Sequence, residues 1–500
     1  MPDLSYRQQK IQEKRKQTPF RDFVMEICSW KNFIFYRNAI WIGKYPQAKG
    51  REMHLFSFDT YQEKDVNSVE LFLDYSTNQP FLEQVSHLYH SYPYPLVNHY
   101  GLQENAERGD EVRWAKNVYL SVVVGDNAEN ILYTFKGESN VKNVLHSVNI
   151  TQNCENIYNS KTVRWSYNIF YSRFIYNSAN IRFSDNMLWC TECIQCQHLE
   201  NKSYCINNIS YSREEYFAQK QEILKKKSAF DTFFSAVSSQ WNIRISDKVS
   251  GVSLYNCHNV ENAYEVANLR NSRNVVYTDG GNDSSDCYDV IDSAVDTTHH
   301  LYGIMGQSFG DHVYCSWNIV ESSHIYYSLK LQHCSFCLWC VGLTNKSFCI
   351  LNKQYTKEER HEKVNQIFEQ MEKDWTLWEF FPARMNPFYF NDTIAYFLDP
   401  SFTKEEVEKA GYLRRDEPIK VDIPADLEQV HVRDLDQYEG YDEDGKRHIN
   451  EEILKKVIID DQGNARRIVN MEYVFLMKYA LPLPRKHRLE RMKENFKIGR

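Results

Sequence analysis

No stretch of this chain is long and apolar enough to span a membrane, and its opening residues, MPDLSYRQQKIQEKRKQ, lack the apolar core of a secretory signal. There is no Walker loop, dinucleotide fingerprint, nucleophile elbow or zinc-protease motif. No acid–base pair can be placed from the order of the residues. Positive charge is not in excess: 59 Lys and Arg stand against 67 Asp and Glu, a formal net charge of −8. That balance argues against a general nucleic-acid binder. Thirteen cysteines, eight of them in two repeated sets, fit a reducing cytoplasm better than a disulfide framework.

What is present is a beat of three. Cys154, Ser160, Ser166, Ser172, Ser178, Ser184, Cys190 and Cys196 fall on every sixth residue. Midway between them run Ile157, Val163, Ile169, Ile175, Ile181, Met187, Cys193 and Leu199. A stripe of period 3 would drift around an α-helix of 3.6 residues per turn, and a flat strand alternates with period 2. Long 3₁₀-helices are uncommon. The remaining option is a parallel β-solenoid whose chain turns a corner every few residues. Its interior would be apolar, with the Ser and Cys in the tighter space near corners. Asn168, Asn180 and Asn186 precede apolar positions, where stacked Asn ladders could form. Handedness and coil length stay open.

The pattern recurs 144 residues on, where Ser316, Ser322, Ser328, Cys334 and Cys340 match Ser172 to Cys196. The endings CIQCQHLENKSYCINNISYSREE and CLWCVGLTNKSFCILNKQYTKEE align without a gap, which points to duplication. Between the copies the beat returns at Cys257, Val260, Ala263, Val266, Leu269, Ser272, Val275 and Thr278. It slips near Thr298 to Val313, where GQSFGD suggests a bend or loop. Capping-box pairs Ser212 with Glu215, Thr356 with Glu359 and Thr403 with Glu406 predict three helices. The first two would cap the solenoid ends.

The expected fold is therefore mainly β: a parallel β-solenoid of two duplicated halves, with capping helices and small α+β modules at both ends. The expected segments are an N-terminal module (1–114), a first solenoid half (115–210), a capping helix and linker (211–250), and a second half (251–355). A helix and connector (356–415) and an acidic linker, hairpin and basic tail (416–500) follow. In the flanks, Arg21 to Trp41 alternates like a strand, and Pro80 to Pro95 reads as a helix and turn. Ala115 to Phe135 reads as two strands that open the solenoid. The last element reads as a hairpin across DQGN, a short helix around Tyr473 and a Pro-stiffened basic segment.

The solenoid, the NKSYCI and NKSFCILNKQYTKEE endings, PFLEQ, WEFFP and LPLPRKHRLERM together resemble a group of uncharacterised cytoplasmic proteins abundant in reduced-genome candidate-phyla bacteria. The resemblance covers most of the chain and brings no activity with it. It implies zinc-ribbon-like modules at the termini. Here the hairpin IIDDQGNARR has no cysteine, His487 and Glu490 stand at the later ligand pair, and the N-terminal module keeps only Cys28. A tetrahedral zinc site needs four such ligands, so these modules are expected to be metal-free, apolar-packed remnants.

Three clusters are candidates for function. Cys190, Cys193 and Cys196, with Cys205, have a spacing suited to zinc or an iron–sulfur cluster, as do Cys334, Cys337 and Cys340, with Cys349. Buried packing is the favoured expectation, because these positions continue the inward series. Trp165, Phe170, Tyr171, Tyr176, Phe183 and Trp189, interleaved with Arg164, Arg173 and Arg182, could form a stacking platform for sugars or bases. Burial under a terminal module is the stronger expectation. Arg485, Lys486, Arg488, Arg491 and Lys493 follow LPLP and are expected to project from a stiff segment. They could dock on the acidic run Asp434 to Gly445 or contact nucleic-acid phosphates. His299, His300 and His312, and the aspartate-rich run Asp279 to Asp296, read as ordinary polar loops. The function expected is a non-enzymatic binding or scaffold protein for an unknown protein or polymer. The alternatives are nucleic-acid or ribosome association through the tail, and an enzyme acting on polysaccharide.

Overall fold

The computed structural model describes residues 19–30, 71–95, 99–225, 310–416 and 423–496, apart from 80, 107, 375, 378, 379, 444 and 445, together with short segments elsewhere. The chain forms two compact units, each discontinuous in sequence. One joins Val97–Gln240 to Asp416–Arg500, and the other joins Met1–Leu96 to Trp241–Arg415. The fold is mainly β, and each unit holds a parallel β-solenoid.

In the first solenoid each short strand pairs in parallel with the strand two places on. Ile157 lies beside Ile169, and Ile169 beside Ile181, so each coil takes 12 residues. Upstream the coil is longer, with Ile131 beside Val144 and Val144 beside Ile157, a spacing of 13. The solenoid also starts earlier than Ala115, because Arg108–Arg113 already pairs in parallel with Lys116–Gly125.

The period of three has a backbone cause. Throughout the coils the residue before each inward one has positive φ, as at Asn156, Asn159, Thr162, Trp165 and Asn168. An extended chain sends residues i and i+2 to one face. A left-handed residue inserted in each step turns the chain, so i and i+3 share the interior instead, much as a bulge does. Among ordinary residues Asn accepts this conformation most readily. That explains its frequency as well as its place in a ladder. Asn105, Asn117, Asn130, Asn143, Asn156, Asn168 and Asn180 pass amide hydrogen bonds from coil to coil at 2.8–3.0 Å. Asn186 leaves the pattern and meets His198 Nδ1 at 2.8 Å.

The serines do more than fit tight corners. Ser172 Oγ donates to the Phe170 carbonyl at 2.9 Å and accepts from the Ser184 amide at 3.2 Å. Ser160, Ser166, Ser178 and Ser184 repeat the arrangement. The hydroxyl thus carries the sheet ladder across a gap between strands, where a buried amide would otherwise go unpaired. Between these columns the Ile, Val and Met side chains are fully buried. Each such residue contributes about 1.5–3 kcal/mol.

The second solenoid repeats the geometry at 12 residues per coil, with Val313 beside Ile325 and Ile325 beside Cys337. Ser316, Ser322 and Ser328 accept from the amides of Ser328, Cys334 and Cys340. One expectation narrows here. Met305–Ser308 is a strand with Gln307 beside Ile319, and Asp311–Tyr314 is the next strand, so the coil register is kept on both sides of a bend rather than lost to a loop. The beat looked broken because a polar Gln holds an apolar register slot. Of the positions from Cys257 to Thr278, only Thr278, in the strand Tyr277–Asp279, is described.

Both solenoids end alike. A short antiparallel pairing, Cys205–Ser210 in one and Cys349–Gln354 in the other, leads into a helix. The helices are Arg213–Lys225 and Lys357–Lys373, and each begins at its capping box. The third box opens Lys404–Lys409. Phe20–Glu26 is a helix and Cys28–Trp30 a 3₁₀ turn, so the strand-like reading of Arg21 to Trp41 fails over its described part. In that described part Trp30 serves packing instead, against Tyr89, Phe380 and Phe381. Phe81–Ser91 is the expected helix.

Candidate binding ridge

Reading along the solenoid axis sorts the candidate residues into columns. Strand register aligns Lys116, Glu129, Lys142, Glu155, Tyr167, Ala179, Thr191 and Ser203. Two residues before each of these is a left-handed corner position: Trp114, Asn127, Asn140, Asn153, Trp165, Asn177, Trp189 and Asn201. All eight are exposed. This column holds only tryptophan and asparagine. Asn127 donates to Asn140, and Asn140 to Asn153, each at 3.2 Å. Trp114, Trp165 and Trp189 are 54, 44 and 51 % exposed, which is unusual for indoles. The Trp114 ring lies over Gly101, and any side chain at Gly101 would strike it.

The neighbouring column is charged but balanced. Lys116 pairs with Glu104 at 3.0 Å, Lys142 reaches Glu129 at 3.7 Å, and Glu155 and then exposed Tyr167 continue the line. Ridge, charged column and Asn ladder together make one long, regular, open strip.

The aromatic and arginine set predicted as one platform is divided. Trp165 and Trp189 stand on the ridge, with half-buried Tyr176 in the column beside them. Arg164, in that same column, is buried. Phe170, Tyr171 and Phe183 are buried on other columns. Phe170 packs on Tyr479 at 5.1 Å and beneath the Arg182 guanidinium at 4.3 Å. Burial holds Arg182 down to about 10. Arg173 is half-buried in a column with Asp185, and burial lowers its pKa too. Burial raises the Asp185 carboxyl to about 6, against the Arg173 charge.

The C-terminal segment covers those columns. Its hairpin pairs Ile458 with Arg466, and Asn470–Lys478 is the expected helix. The tail does not project. Arg488–Phe496 is a further helix, which carries Arg488, Arg491 and Lys493. Arg488 lies 5.4 Å over the Tyr133 ring. Arg491, 6 % exposed, donates to Tyr158 Oη at 3.1 Å and Glu472 at 3.4 Å. Arg485 pairs with Asp436, within the acidic run, and Lys486 meets Glu494 at 2.5 Å. The Lys493 side chain lies outside the described residues. An apolar floor of tyrosines, with a buried acid at its edge, draws these arginines inward where a plain charge count suggested solvent.

At the centre of that contact is a buried pair. His146 Nε2 donates to Glu472 at 2.7 Å, and Asn495 donates to the His146 carbonyl at 3.0 Å. Burial and the Arg491 charge hold His146 down to about 3, so it is neutral. Burial pushes Glu472 up, but its contact with His146, together with the Arg491 and Arg466 charges, outweighs burial and holds its carboxyl below the usual value.

All eight candidate cysteines are free and buried, and no three of their sulfurs come within 4.8 Å of one another. They replace column residues. Cys193 and Cys205 continue Ile169 and Ile181, while Cys190 and Cys196 continue serines. Cys196 Sγ accepts from the Asn208 amide at 3.4 Å, which is the serine role. The Cys193 hydrogen bond lowers Cys190 to about 7 and also lowers Cys196, while Cys193 itself is pushed up. In the second set Cys337 likewise lowers Cys334, to about 7, and Cys349, and is raised. Cys340 has the same column place as Cys196.

Sequence reading missed Trp114, Asn127, Asn140, Asn153, Asn177 and Asn201. For the upstream members the signal was there as a 13-residue spacing in GDNAEN, GESN and TQNC, which a search for sixes passes over. The aspartate-rich run and His299 and His300 fall largely or wholly outside the described residues. No helix among the described residues is long and apolar enough to cross a membrane. No protein-family profile, curated protein or solved structure matches the chain.

Proposed function

We propose that this protein is a non-enzymatic scaffold that binds a long, regular, uncharged polymer along the tryptophan–asparagine ridge. The observation that carries the reading is the column itself: exposed indoles interleaved with exposed asparagines, three of them joined in an amide ladder, at a regular rise. Adjacent coils are about 4.8 Å apart, so Trp165 and Trp189 stand roughly 10 Å from one another. Indole faces stack on apolar ring surfaces, and each Asn amide in the ladder keeps hydrogen-bonding capacity for hydroxyls. A polysaccharide offers both features in a repeating order.

Charge favours a neutral ligand over nucleic acid. Lys and Glu alternate beside the ridge, and Arg488 and Arg491 are buried against aromatic and acidic groups. An enzyme would need paired carboxylates beside the indoles, one kept protonated. The acids next to this ridge are instead interleaved with lysines. The buried, reduced cysteines fit a cytoplasmic setting.

The test is affinity electrophoresis through gels containing single neutral polysaccharides, with single-stranded DNA and RNA run in parallel. The expected result is retardation by at least one neutral glycan, lost in a Trp165→Ala/Trp189→Ala double variant. Retardation by nucleic acid alone, or by a glycan equally in both proteins, would refute the proposal.

A further inference from the structure

One corner column of the second solenoid is built from stacked rings. His312, His324, Phe336 and Phe348 follow one another at 12-residue spacing, each with positive φ. Their centroids are 4.7, 4.4 and 5.2 Å apart, with interplanar angles of 5, 27 and 10°. Phenylalanine satisfies this stack at two of the four places. Imidazole at the other two adds nothing to stacking that a phenyl ring would not supply. What it adds is nitrogen, a polar atom that needs a partner.

One of those nitrogens meets a carboxylate. Asp311 Oδ2 lies 2.8 Å from His312 Nδ1. One ligand atom each from Asp311, His312 and His324 fall within 4.8 Å of one another, which no other trio of Cys, His, Asp and Glu does among the described residues. Two further observations point to something missing between them. Asp311 Oδ1 and His324 Nδ1 are buried atoms with no hydrogen-bond partner. All three residues are nonetheless half-exposed, so solvent can reach the group.

We propose that Asp311, His312 and His324 bind a divalent transition-metal ion. Two imidazoles and one carboxylate suit zinc, cobalt, nickel, copper or ferrous iron, and do not suit magnesium or calcium, which take oxygen ligands. Three protein ligands leave coordination positions open to water or a second ligand. The two rings are parallel, so both must tilt to aim at one ion. Arg360, whose guanidinium lies 5.7 Å from the Phe336 ring centre, opposes a dication that the Asp311 charge favours. The site is thus an exchangeable one rather than a rigid structural centre. It is independent of the ridge and of the cysteine sets.

Cobalt(II) titrated into the full chain, reduced with a non-chelating phosphine, tests this directly. Nitrogen and oxygen ligation gives visible d–d bands without the near-ultraviolet thiolate charge-transfer band that cysteine ligation would add. The expected result is one equivalent bound without that band. Affinity should fall by roughly tenfold or more in His324→Phe, since even the loss of supporting groups costs that much. This variant keeps the ring stack, as Phe336 does, so unchanged thermal melting would show that the fold survives. Asp311→Asn should weaken binding without touching the stack. A thiolate band that disappears in Cys334→Ser/Cys337→Ser, no binding, or binding unchanged in both ligand variants would overturn the proposal.

Discussion

Two sides of the first solenoid differ although the same backbone makes both. On one side, the columns of Tyr158 and Phe170 and of His146 and Tyr171 are sealed by the helices Asn470–Lys478 and Arg488–Phe496. On the other, a column of equally large indoles stands open. The corner geometry tolerates aromatic side chains on either side, so exposure is decided by what packs there. The covered side has a reason to be aromatic that is internal to the protein. The open side has none, and that contrast carries the functional proposal.

The largest test of the comparison breaks the covered side. Arg491→Ala leaves Glu472 buried without its guanidinium, and should cost about 3–5 kcal/mol in chemical unfolding. Replacing both residues with leucine should recover most of the loss. Arg485→Ala, at a partly exposed pair, should cost at most about 1 kcal/mol. Equal effects from the two arginines would mean that the tail is not seated as described.

The same contact sets a pH dependence. Folding depresses the His146 pKa from 6.5 to about 3, so the unfolded chain takes up a proton there first. The His146 contribution is complete above pH 6.5 and is lost as pH falls toward 3. Asp185 acts with the opposite sign: its raised pKa adds stability as pH falls from about 6 to 3.8. In Asp185→Asn, where the opposing term is absent, stability should drop by about 2 kcal/mol between pH 6.5 and 5. Urea titrations at the two pH values measure it, and a flat profile would contradict a neutral buried His146.

Smaller effects belong to the corners that both sides share. Ser172→Ala strands the Ser184 amide and should cost about 1–3 kcal/mol. Ser172→Cys should cost less, because Cys196 already accepts an amide in the same column. Smallest of all, Trp165→Ala and Trp189→Ala should each shift stability by no more than about 0.5 kcal/mol, since exposed side chains hold little of the fold together. Thermal melts of the single variants decide this, and a large loss would make the ridge structural.

The solenoid was legible because Ser and Ile alternate so strictly from Cys154 to Leu199. The capping helices were legible because a capping box is a local signal that tertiary packing does not override. Three things were hidden for physical reasons. The upstream coils carry one extra corner residue, as at Asp126–Asn127, Ser139–Asn140 and Gln152–Asn153, and this breaks a hexad count without breaking the coil. The helix Arg488–Phe496 follows two prolines and is basic, so it reads as a solvated tail until Tyr133, Tyr158 and Glu472 are placed beneath it. His324 carries no meaning alone. It matters only once a 12-residue coil puts it over His312. The ridge shares that fate, because a column is a property of coil length and not of any local motif.

On the proposed reading the open side of the first solenoid is the working side, a claim about individual indoles. Tryptophan oxidation footprinting of the full chain, free and with the glycan that retards it most, tests that claim residue by residue. The expected result is fast oxidation of Trp114, Trp165 and Trp189 in the free protein and protection of these three on binding, with buried Trp30 and Trp339 unreactive throughout. Binding that leaves Trp165 and Trp189 as reactive as before, while protecting residues elsewhere, would contradict it.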